Sequence, residues 1–544
     1  MSRMKRSAIT VGLLLTLTLT LAACGQHRTA DQHTLNVTEQ TEMLSLDPSK
    51  ATDNTSLTAL ANSDEGLYRI GKNNTPQPAL AAKTTVSKDG LNWTITLRKN
   101  TKWSNGDSVT AADFVYAWQR TNDPKTAGQY AYLFSGVKNA DEIQAGKAPV
   151  SSLGIQAVGS DKLKITLTKP IPYFKLLLGF PVFFPQNERV VNAQGKHYGL
   201  SANAQVYNGP FTIKGWTGTN PKWTLARNSQ YWDRRHVKLQ NIHFAVVKDA
   251  STSLNLYNSG ATDLTTLSSS QVANEKSNPA YHYRAGSASA FIGLNQTTKS
   301  PLQQLAVRQA LSLAINRKQL TNDTLQDGST PATGLTPAKL MQNPQTGADF
   351  AKETSVKAVT TADMAKATRL ARAGLKASGQ SALTINLLAN DTGNSKQVAE
   401  YLQSQWNKLP GITVHIQTVP LKAQLSAITT GKYQAAVLSW SGDYNDPETF
   451  LSLFQSTNHQ IAAKWTDKTF DQAMDQAAGS DANNAQKRYQ DLKTAQTTLT
   501  RDLGVIPLYW GSSVGGTLQR NNLHGLVYNT AGVNYNFKNV TLSK

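Results

Sequence analysis

The sequence predicts an α/β fold of more than one domain, and three observations support this prediction. Segments with an apolar residue at every second position, typical of half-buried strands, recur along the chain. Segments with helical spacing of apolar residues lie between them, and such mixing over a long chain indicates α/β domains. The chain has 544 residues, more than one hydrophobic core usually organises.

Strands are predicted where apolar residues alternate with polar or β-branched ones. The alternating segments are 34–37, 93–97, 163–167, 384–388 and 412–416. The run 435–438 is apolar at four successive positions, which is typical of a strand buried on both faces. We expect these segments to form the sheets of the domains.

Helices are predicted between the strands at four places. The segments are 110–120, 302–314, 362–377 and 396–409. Thr110 and Asp113 stand at the first and last positions of a capping box, a signal for a helix start. Pro410 and Gly411 follow the fourth segment and indicate its end.

The beginning of the chain has the three parts of a bacterial export signal. Three cations lie among the first six residues, the apolar run 9–21 follows, and two alanines precede Cys24. Cys24 is the single cysteine of the chain, so no intramolecular disulfide can form. The apolar run is short for a membrane-spanning helix, which needs about 20 residues.

The pattern Leu-Ala-Ala-Cys at 21–24 resembles a lipobox, the site at which bacterial lipoproteins are lipidated and cleaved. We therefore expect 1–23 to be a signal peptide and Cys24 to carry a diacylglyceryl anchor, because two acyl chains hold stably in a membrane. A plain secretory signal or an uncleaved helix is the alternative. The predicted location is the extracellular face of a cell membrane, with a periplasmic face as the other possibility.

The charge is strongly positive, with a formal net charge of +20. Lysines and arginines are spread along the chain, and Arg234 and Arg235 form the densest pair. This spread argues against a nucleic-acid partner, which usually meets a clustered basic surface. Attraction to anionic lipid or cell-wall polymer fits better, and a solvated surface without a specific partner is an equal alternative.

The familiar catalytic motifs are absent from the sequence. It contains no Gly-x-Ser-x-Gly elbow, no His-Glu-x-x-His pair and no phosphate-binding loop, and its nine histidines are scattered. We therefore expect neither a cofactor nor a metal. A glycosidase needs only two carboxylates that the fold brings together, so a wall hydrolase stays an alternative.

One segment, 440–448, concentrates aromatic and acidic groups directly after the apolar run 435–438. Acidic groups at the end of a strand commonly face a cleft in α/β domains. A calcium-binding loop does not fit, because Pro447 and Glu448 stand where a ligand and the turn glycine belong. A plain turn stabilised by Asp and Asn side chains is the alternative.

Several ordered motifs resemble those of the oligopeptide-binding lipoproteins of ABC importers, solute-binding protein family 5. The motifs are Ser-Leu-Asp-Pro at 45–48, Glu-Gly-Leu-Tyr at 65–68, 97–107, 109–118, 123–127, 208–211, 307–317 and Gly-Asp-Tyr-Asn-Asp-Pro at 442–447. Together they extend over nearly the whole chain that follows Cys24.

The resemblance implies a two-lobed periplasmic-binding-protein-like fold with a third domain and a hinge. Lobe I is expected at 24–64, 191–294 and 512–544. The inserted domain is expected at 65–190, and lobe II at 295–511. The protein is expected to be a monomer.

The resemblance also implies a ligand-binding set, in which Asp443 pairs with the α-ammonium group of a peptide. Trp440 matches a pocket wall, Tyr132 a pocket position of the inserted domain, and Asn54 a contact to the peptide backbone. The full predicted set is Asn54, Tyr132, Trp440, Ser441, Gly442, Asp443 and Tyr444.

The implied function is capture of oligopeptides between closing lobes and delivery to a membrane permease, without catalysis. Dipeptides, peptide pheromones or a nickel chelate are alternative ligands, and Asp443 favours a ligand with a free amine. A lipid-anchored wall hydrolase and an adhesin are the alternatives from other classes.

Overall fold

The computed structural model describes residues 32–296, 300–391, 393–458, 460–461, 465–511, 515–531, 533 and 535–543. The predicted signal peptide and Cys24 lie outside the described residues. Among the helices of the described part, none combines the length and the apolar character needed to cross a bilayer.

A seven-stranded mixed sheet forms the centre of lobe I. In spatial order its strands are Tyr281–Arg284, Gly515–Gln519, Leu264–Thr266, Thr34–Glu39, Asn241–Val246, Lys222–Arg227 and Phe211–Lys214. The predicted strand at 34–37 is confirmed, and it lies in the middle of the sheet. It runs parallel to Asn241–Val246, with Leu35 opposite Ile242.

The inserted domain contains a four-stranded antiparallel sheet. Its strands, in order, are Ala81–Val86, Asn92–Leu97, Lys162–Thr166 and Ile155–Ala157. Trp93, Ile95 and Leu97 are all buried, while the residues between them are more exposed, as their alternation predicts. Leu163 and Ile165 are likewise buried, and Leu167 lies just beyond the end of its strand.

A six-stranded mixed sheet forms the centre of lobe II. In spatial order its strands are Thr330–Pro331, Val505–Gly511, Ala288–Leu294, Ala435–Ser441, Leu383–Asn390 and Ile412–Val419. The three strands predicted from 384–388, 412–416 and 435–438 are therefore confirmed. Three two-stranded ladders lie outside the large sheets: Tyr68–Ile70 with Pro76–Pro78, Leu523–His524 with Thr541–Leu542, and Val527–Tyr528 with Tyr535–Asn536.

The predicted limit between lobes after Leu294 disagrees with the pairing of one strand. Ala288–Leu294 pairs with Ala435–Ser441 on one side and with Val505–Gly511 on the other, so it belongs to the six-stranded sheet. The crossing from lobe I therefore lies between Arg284 and Ala288. The alternation of apolar residues that identifies a strand does not reveal which sheet the strand joins. The other limits stay predictions.

Helices cover the sheets. The helices of lobe I are Asn54–Ser63, Glu188–Gln194, Ala250–Asn258 and Ser269–Glu275. Those of the inserted domain are Ala111–Asn122, Ala140–Gln144 and Phe174–Leu177. Those of lobe II are Leu305–Leu313, Arg317–Gln319, Phe350–Glu353, Lys357–Thr360, Met364–Ala377, Gly393–Trp406, Leu421–Thr429, Glu448–Leu451, Lys468–Ala478 and Ala485–Arg501. Short 3₁₀ helices connect them at Lys72–Asn74, Pro124–Thr126, Ala131–Phe134, Val150–Ser152, Pro181–Phe183, Gly195–His197, Ala202–Ala204, Arg234–His236, Pro301–Gln303 and Ser452–Phe454, and a π-helical turn spans Leu320–Leu325.

The four predicted helices are present with shifted ends. The backbone N–H of Thr110 donates to Asp113 Oδ2 at 2.8 Å, so the capping box starts the first of them at Ala111. The second starts at Leu305 rather than at Leu302, because Pro301 begins a separate 3₁₀ turn. The fourth helix spans Gly393–Trp406, so its end lies three residues before the one that Pro410 and Gly411 predict.

Large clusters of buried apolar side chains form the cores of the molecule. One cluster joins the lobe I sheet to the inserted domain through residues such as Trp118 and Phe211. Two others lie on the two sides of the lobe II sheet, one with Trp406 and one with Tyr489. Lobe I and the inserted domain therefore share one core, while lobe II has two clusters of its own, one on each side of its sheet.

Candidate functional site

The strand Ala435–Ser441 ends at the junction of the three parts of the molecule. Its partner strand Leu383–Asn390 pairs with it only at Ala435 and Ala436, whereas the other edge is fully paired with Ala288–Leu294. The Gly442 backbone N–H donates to the Ser287 carbonyl, so the even-numbered residues are the ones that bond to this neighbouring strand. Hydrogen bonding alternates in an antiparallel pair, so the odd-numbered residues from 437 onward direct their backbone groups to the other side. Ser439 and Ser441 thus present backbone N–H and C=O groups along an edge with no further strand among the described residues.

The loop after this strand is fixed at its start. The Gly442 backbone N–H donates to the Ser287 carbonyl at 3.0 Å, and the Ser287 hydroxyl donates back to the Gly442 carbonyl at 3.0 Å. Gly442 also packs closely on Phe450, where an added Cβ would approach a ring carbon to 3.0 Å. The position of the next residue, Asp443, is set by these contacts.

Asp443 is the acidic group of the site. Its Oδ2 accepts a hydrogen bond of 2.9 Å from the hydroxyl of Tyr132, which belongs to the inserted domain. Burial raises the pKa of the Asp443 carboxyl, and the Tyr132 hydrogen bond lowers it by a smaller amount. The Tyr132 phenol has a raised pKa, first because of burial and then because of the Asp443 charge. A cation placed beside this carboxylate would be bound in a poorly hydrated setting, where charge-assisted bonds are strong.

A cavity of about 100 Å³ adjoins Asp443. It is lined by Asn54, Leu57, Tyr130, Phe180, Ser287, Ala288, Ser441, Gly442, Asp443, Thr530 and Ala531. Four members of the predicted ligand-binding set are thus brought together, from lobe I and lobe II: Asn54, Ser441, Gly442 and Asp443. Their roles toward a ligand stay predictions.

Asn54 reaches the cavity as the first residue of the helix Asn54–Ser63. The helix starts here because the Asp53 side chain accepts from the Ser56 backbone N–H at 2.8 Å. The first residues of a helix have backbone N–H groups without an intrahelical partner. The end of this helix therefore presents hydrogen-bond donors at the cavity from the lobe I side.

The other three predicted residues lie beside the cavity without lining it. Tyr132 is 48% exposed and contacts the site through its hydrogen bond to Asp443 and through its ring, whose centroid lies 6.0 Å from that of Tyr130. Tyr130 itself lines the cavity. Trp440 packs against the apolar cluster around Tyr489. Its buried indole N–H has no hydrogen-bond partner within the described part of the chain.

Tyr444 has a positioning role. Its ring stacks on Tyr173 of the inserted domain, with centroids 4.2 Å apart and planes 11° from parallel. Its hydroxyl donates a short hydrogen bond to the buried Glu448 carboxylate, and burial raises the pKa of that carboxyl. Tyr444 thus connects lobe II to the inserted domain.

Several cavity residues carry no signal in the sequence. Phe180, Ser287 and Thr530 lie in loops or at strand ends that no motif marks. Tyr130 could have been found, since it lies two residues from the predicted Tyr132. The others come together only through the folding of distant segments.

A larger groove of about 790 Å³ lies where all three parts meet. Its lining includes Lys72 and Asn74 of the inserted domain, Arg284 of lobe I and Lys339 of lobe II, and no carboxylate stands among its described lining residues. Thr530 lines both this groove and the Asp443 cavity, and its backbone N–H donates to Asn74 Oδ1 at 3.0 Å. The two spaces are thus neighbours separated by this contact.

No group of three or more His, Cys, Asp or Glu side chains in the described residues could hold a metal ion. The site therefore offers one desolvated carboxylate, a free strand edge and the start of a helix. Such an arrangement suits binding of a ligand that carries an amine and backbone-like amide groups.

Two lobes, each with its own sheet, and a cavity at their junction define a solute-binding protein of the two-lobed type. The chain belongs to the bacterial extracellular solute-binding proteins, family 5, whose model matches residues 75–461. This is a family of solute-binding transport proteins rather than enzymes. The family resemblance and the fold class predicted from the sequence are confirmed.

Related proteins match over nearly their whole length. The dipeptide-binding protein of Lactococcus lactis subsp. cremoris (strain MG1363) is 37% identical over 533 residues, which cover 95% of this chain and 96% of that protein. Listeria monocytogenes OppA bound to peptide has a TM-score of 0.73 at 36% identity, covering 95% of this chain and 100% of that one. The murein tripeptide-binding protein MppA in its unliganded open form has a TM-score of 0.80 at 29% identity, covering 94% and 98%.

Proposed function

We propose that this protein captures oligopeptides and delivers them to the permease of an ABC importer, held at the outer face of a membrane by a lipid on Cys24. The observation that carries the proposal is the desolvated Asp443 carboxylate at the end of a strand whose edge is open. The names of the related proteins, which include dipeptide- and oligopeptide-binding proteins, support the same class of ligand.

Recognition begins at the peptide N-terminus. The α-ammonium group pairs with Asp443, and the Tyr132 hydroxyl remains close enough to share the carboxylate. Because Asp443 is largely withdrawn from water, its pairing with the ammonium group is strong and fixes the register of the peptide.

The rest of the peptide backbone then follows the open edge at Ser439 and Ser441 in strand fashion. Backbone hydrogen bonds do not depend on side-chain identity, so this mode of binding accepts many sequences. Peptide side chains alternate between the two faces of the extended peptide. One face meets the cavity around Tyr130 and Phe180.

The groove of about 790 Å³ accommodates the remaining residues of a longer peptide. Lys72, Arg284 and Lys339 give it a positive character, which suits the α-carboxylate at the far end of the ligand. Entry from the Asp443 cavity requires movement at the contact between Thr530 and Asn74.

Closure of the lobes accompanies binding. The higher TM-score with an unliganded open form than with a peptide-bound relative supports an open arrangement of the lobes before binding. A ligand that contacts both Asn54 and Asp443 binds the closed arrangement better and shifts the equilibrium toward it. The closed form then docks on the permease, and the lipid keeps the protein near it.

The direct test is mass spectrometry of the ligand released when the purified protein is denatured, followed by calorimetry with the identified compound. Intact peptides that rebind support the proposal. Cleaved wall fragments after incubation would instead indicate a hydrolase, and salt-sensitive cell binding without peptide affinity an adhesin. Mass spectrometry of the N-terminal peptide tests lipidation of Cys24 separately.

A further inference from the structure

A basic groove lies between the inserted domain and lobe I, and it has no lining residue in common with the Asp443 cavity. It has a volume of about 690 Å³ and is formed where the inserted domain meets lobe I. The lining residues are Ala82, Arg98, Lys99, Asn100, Lys102, Ser229, Gln230, Trp232 and Arg234. Four of these nine described residues are cations and none is acidic, so the groove attracts anions.

The base of the groove is rigid. The Arg98 guanidinium lies over the Trp232 ring, 4.1 Å from its centroid, and Arg98 Nε donates to the Ala79 carbonyl at 2.5 Å. Trp232 is fixed in turn by a 2.6 Å hydrogen bond from its indole N–H to the buried Glu65 carboxylate. Lys99, Lys102 and Arg234 surround this base and are exposed.

The carboxylate of Asp233, which lies next to the groove in sequence, does not cancel the positive charge of the groove. Asp233 precedes Arg234 in sequence, and its Oδ2 accepts from Lys538 Nζ at 2.5 Å while Oδ1 contacts His236 Nδ1 at 2.5 Å. The hydrogen bonds from Lys538 and His236 lower the pKa of Asp233 in spite of its partial burial. Asp233 is thus paired with Lys538 and hydrogen-bonded to His236.

The groove lies at the end of the lobe I sheet where Thr34–Glu39, the first described strand, begins. The His33 carbonyl accepts from the Gln240 backbone N–H at 2.7 Å, and the Gln240 carbonyl accepts from the Arg227 backbone N–H at 2.8 Å. The Arg227 side chain then donates to the Arg234 carbonyl at 2.8 Å. Three successive hydrogen bonds therefore connect the entry point at His33 to the groove.

This position places the groove near the proposed anchor. His33 stands nine positions after Cys24, and a fully extended chain of that length reaches at most about 32 Å. An anchored molecule therefore keeps the end of the sheet that contains His33 within that distance of the lipid surface. A tether of this length lets the groove reach the lipid surface, and each cation that comes within about 10 Å of anionic headgroups adds roughly fivefold in affinity.

We propose that this basic groove is a membrane-contact surface that binds the phosphate groups of anionic phospholipids. Arg98, Lys99, Lys102 and Arg234 supply the contacts. The contact holds the lobe I end of the molecule against the bilayer while lobe II remains free to move. The inference rests on the proposed membrane location, but not on the identity of the peptide.

The test is co-sedimentation of the unlipidated chain 25–544, which contains every described element, with vesicles. Vesicles of phosphatidylglycerol and phosphatidylcholine are compared with phosphatidylcholine alone. The variant K99E/K102E/R234E is compared with K366E/R372E/K376E, which makes the same change of charge on the exposed face of the lobe II helix Met364–Ala377. We expect the groove variant to lose about a hundredfold in affinity for the anionic vesicles and the control variant severalfold at most.

Equal loss in the two triple variants, or equal binding to neutral vesicles, would overturn the proposal. So would binding to a soluble glycerol phosphate polymer without binding to vesicles, which would assign the groove to the cell wall. If the triple variant fails to fold, K102E and R234E are measured singly, with about fivefold expected for each. Peptide calorimetry on the same variants separates this test from the proposed function, because peptide affinity is expected to be unchanged in both.

Discussion

Asp446 and Arg488 form a two-pronged ion pair beneath the Asp443 loop. Arg488 Nη1 donates to Asp446 Oδ2 and Nη2 to Oδ1, each at 2.8 Å, and both side chains are about 95% buried. Asp446 also accepts from the Glu448 backbone N–H at 3.0 Å. The loop that carries Asp443 is thus fixed to the helix Ala485–Arg501 by a pair of charges withdrawn from water.

Replacing Arg488 by Met should destabilise the protein strongly. The change leaves Asp446 buried without its partner, at a cost of about 3–5 kcal/mol in the free energy of unfolding. The measurement is urea denaturation followed by fluorescence. Arg501→Met is the control, since Arg501 pairs with Asp502 at the surface, where such pairs contribute less than about 1 kcal/mol. Similar losses of unfolding free energy in the two variants would show that the buried pair stabilises the protein no more than the surface pair does.

Replacing Asp443 by Ala should weaken peptide binding about a hundredfold, because a buried charge pair loses one partner. Calorimetry with a peptide identified from the native protein measures the effect. Asp475→Ala, an exposed aspartate elsewhere in lobe II, is the control and should bind normally. N-acetylation of the peptide removes the ammonium group and should weaken binding to the native protein far more than to the Asp443→Ala variant. If acetylation affects both equally, Asp443 does not pair with the N-terminus.

Peptide affinity should fall on acidification at a higher pH than an ordinary aspartate would cause. Burial raises the pKa of Asp443 above its usual 3.8. Binding needs the carboxylate, so affinity is full above the raised pKa and falls about tenfold per pH unit below it. Tyr132→Phe removes the hydrogen bond that lowers this pKa, so its midpoint should move upward. Calorimetry across the acid range checks both curves, with Asp443→Asn, expected to be flat, as the reference.

Methylation of individual peptide nitrogens should reveal strand-type binding. If the ligand pairs with the open edge at Ser439 and Ser441, only every second peptide N–H points toward the protein. Methylation at those positions should weaken binding about tenfold, since a hydrogen bond is lost and the methyl group clashes. The intervening positions should tolerate it. Uniform sensitivity along the peptide would argue for another mode of binding.

Asp64 should make stability depend on pH. It is 2% exposed, and burial raises its pKa to about 7. The folded protein therefore holds the proton more tightly than the unfolded chain does. The stabilisation is complete below about pH 4 and is lost as pH rises toward 7. Asp64→Asn removes this dependence. As pH rises from about 4 to 7, the free energy of unfolding of the variant should therefore increase by up to about 4 kcal/mol relative to that of the native protein. Denaturation at several pH values, with Asp475→Asn as the control, measures the difference.

The sequence is sufficient for six of the strands, for four of the helices and for the position of Asp443 directly after a buried strand. Trp93, Ile95 and Leu97 identify their strand because alternate side chains of a strand point to one face. Asp443 is indicated by its position after a buried strand and by a motif that resembles one of a known family. Both signals are local, and a local signal can be read without knowing the fold.

The remaining parts of the site depend on contacts between distant segments. Thr530 reaches Asn74 across 456 positions of the chain, and no local pattern in either segment indicates that contact. The sequence places the strand Ala288–Leu294 in lobe I, whereas the structure places it in lobe II, because its partner strands lie more than a hundred residues further along the chain. Tyr132 and Tyr130 are separated by a single residue, and only the course of their 3₁₀ turn decides which ring lines the cavity.

The seven-stranded sheet has a consequence for the order in which the molecule folds. Gly515–Gln519 lies inside that sheet, between Tyr281–Arg284 and Leu264–Thr266. During synthesis it emerges only after all of lobe II, whose own sheet is already complete at Gly511. Lobe II can thus fold first, while the sheet of lobe I still lacks the strand that belongs between two of its other strands. A chain cut after Gly511 would keep the Asp443 loop but leave lobe I with exposed strand edges, which promote aggregation.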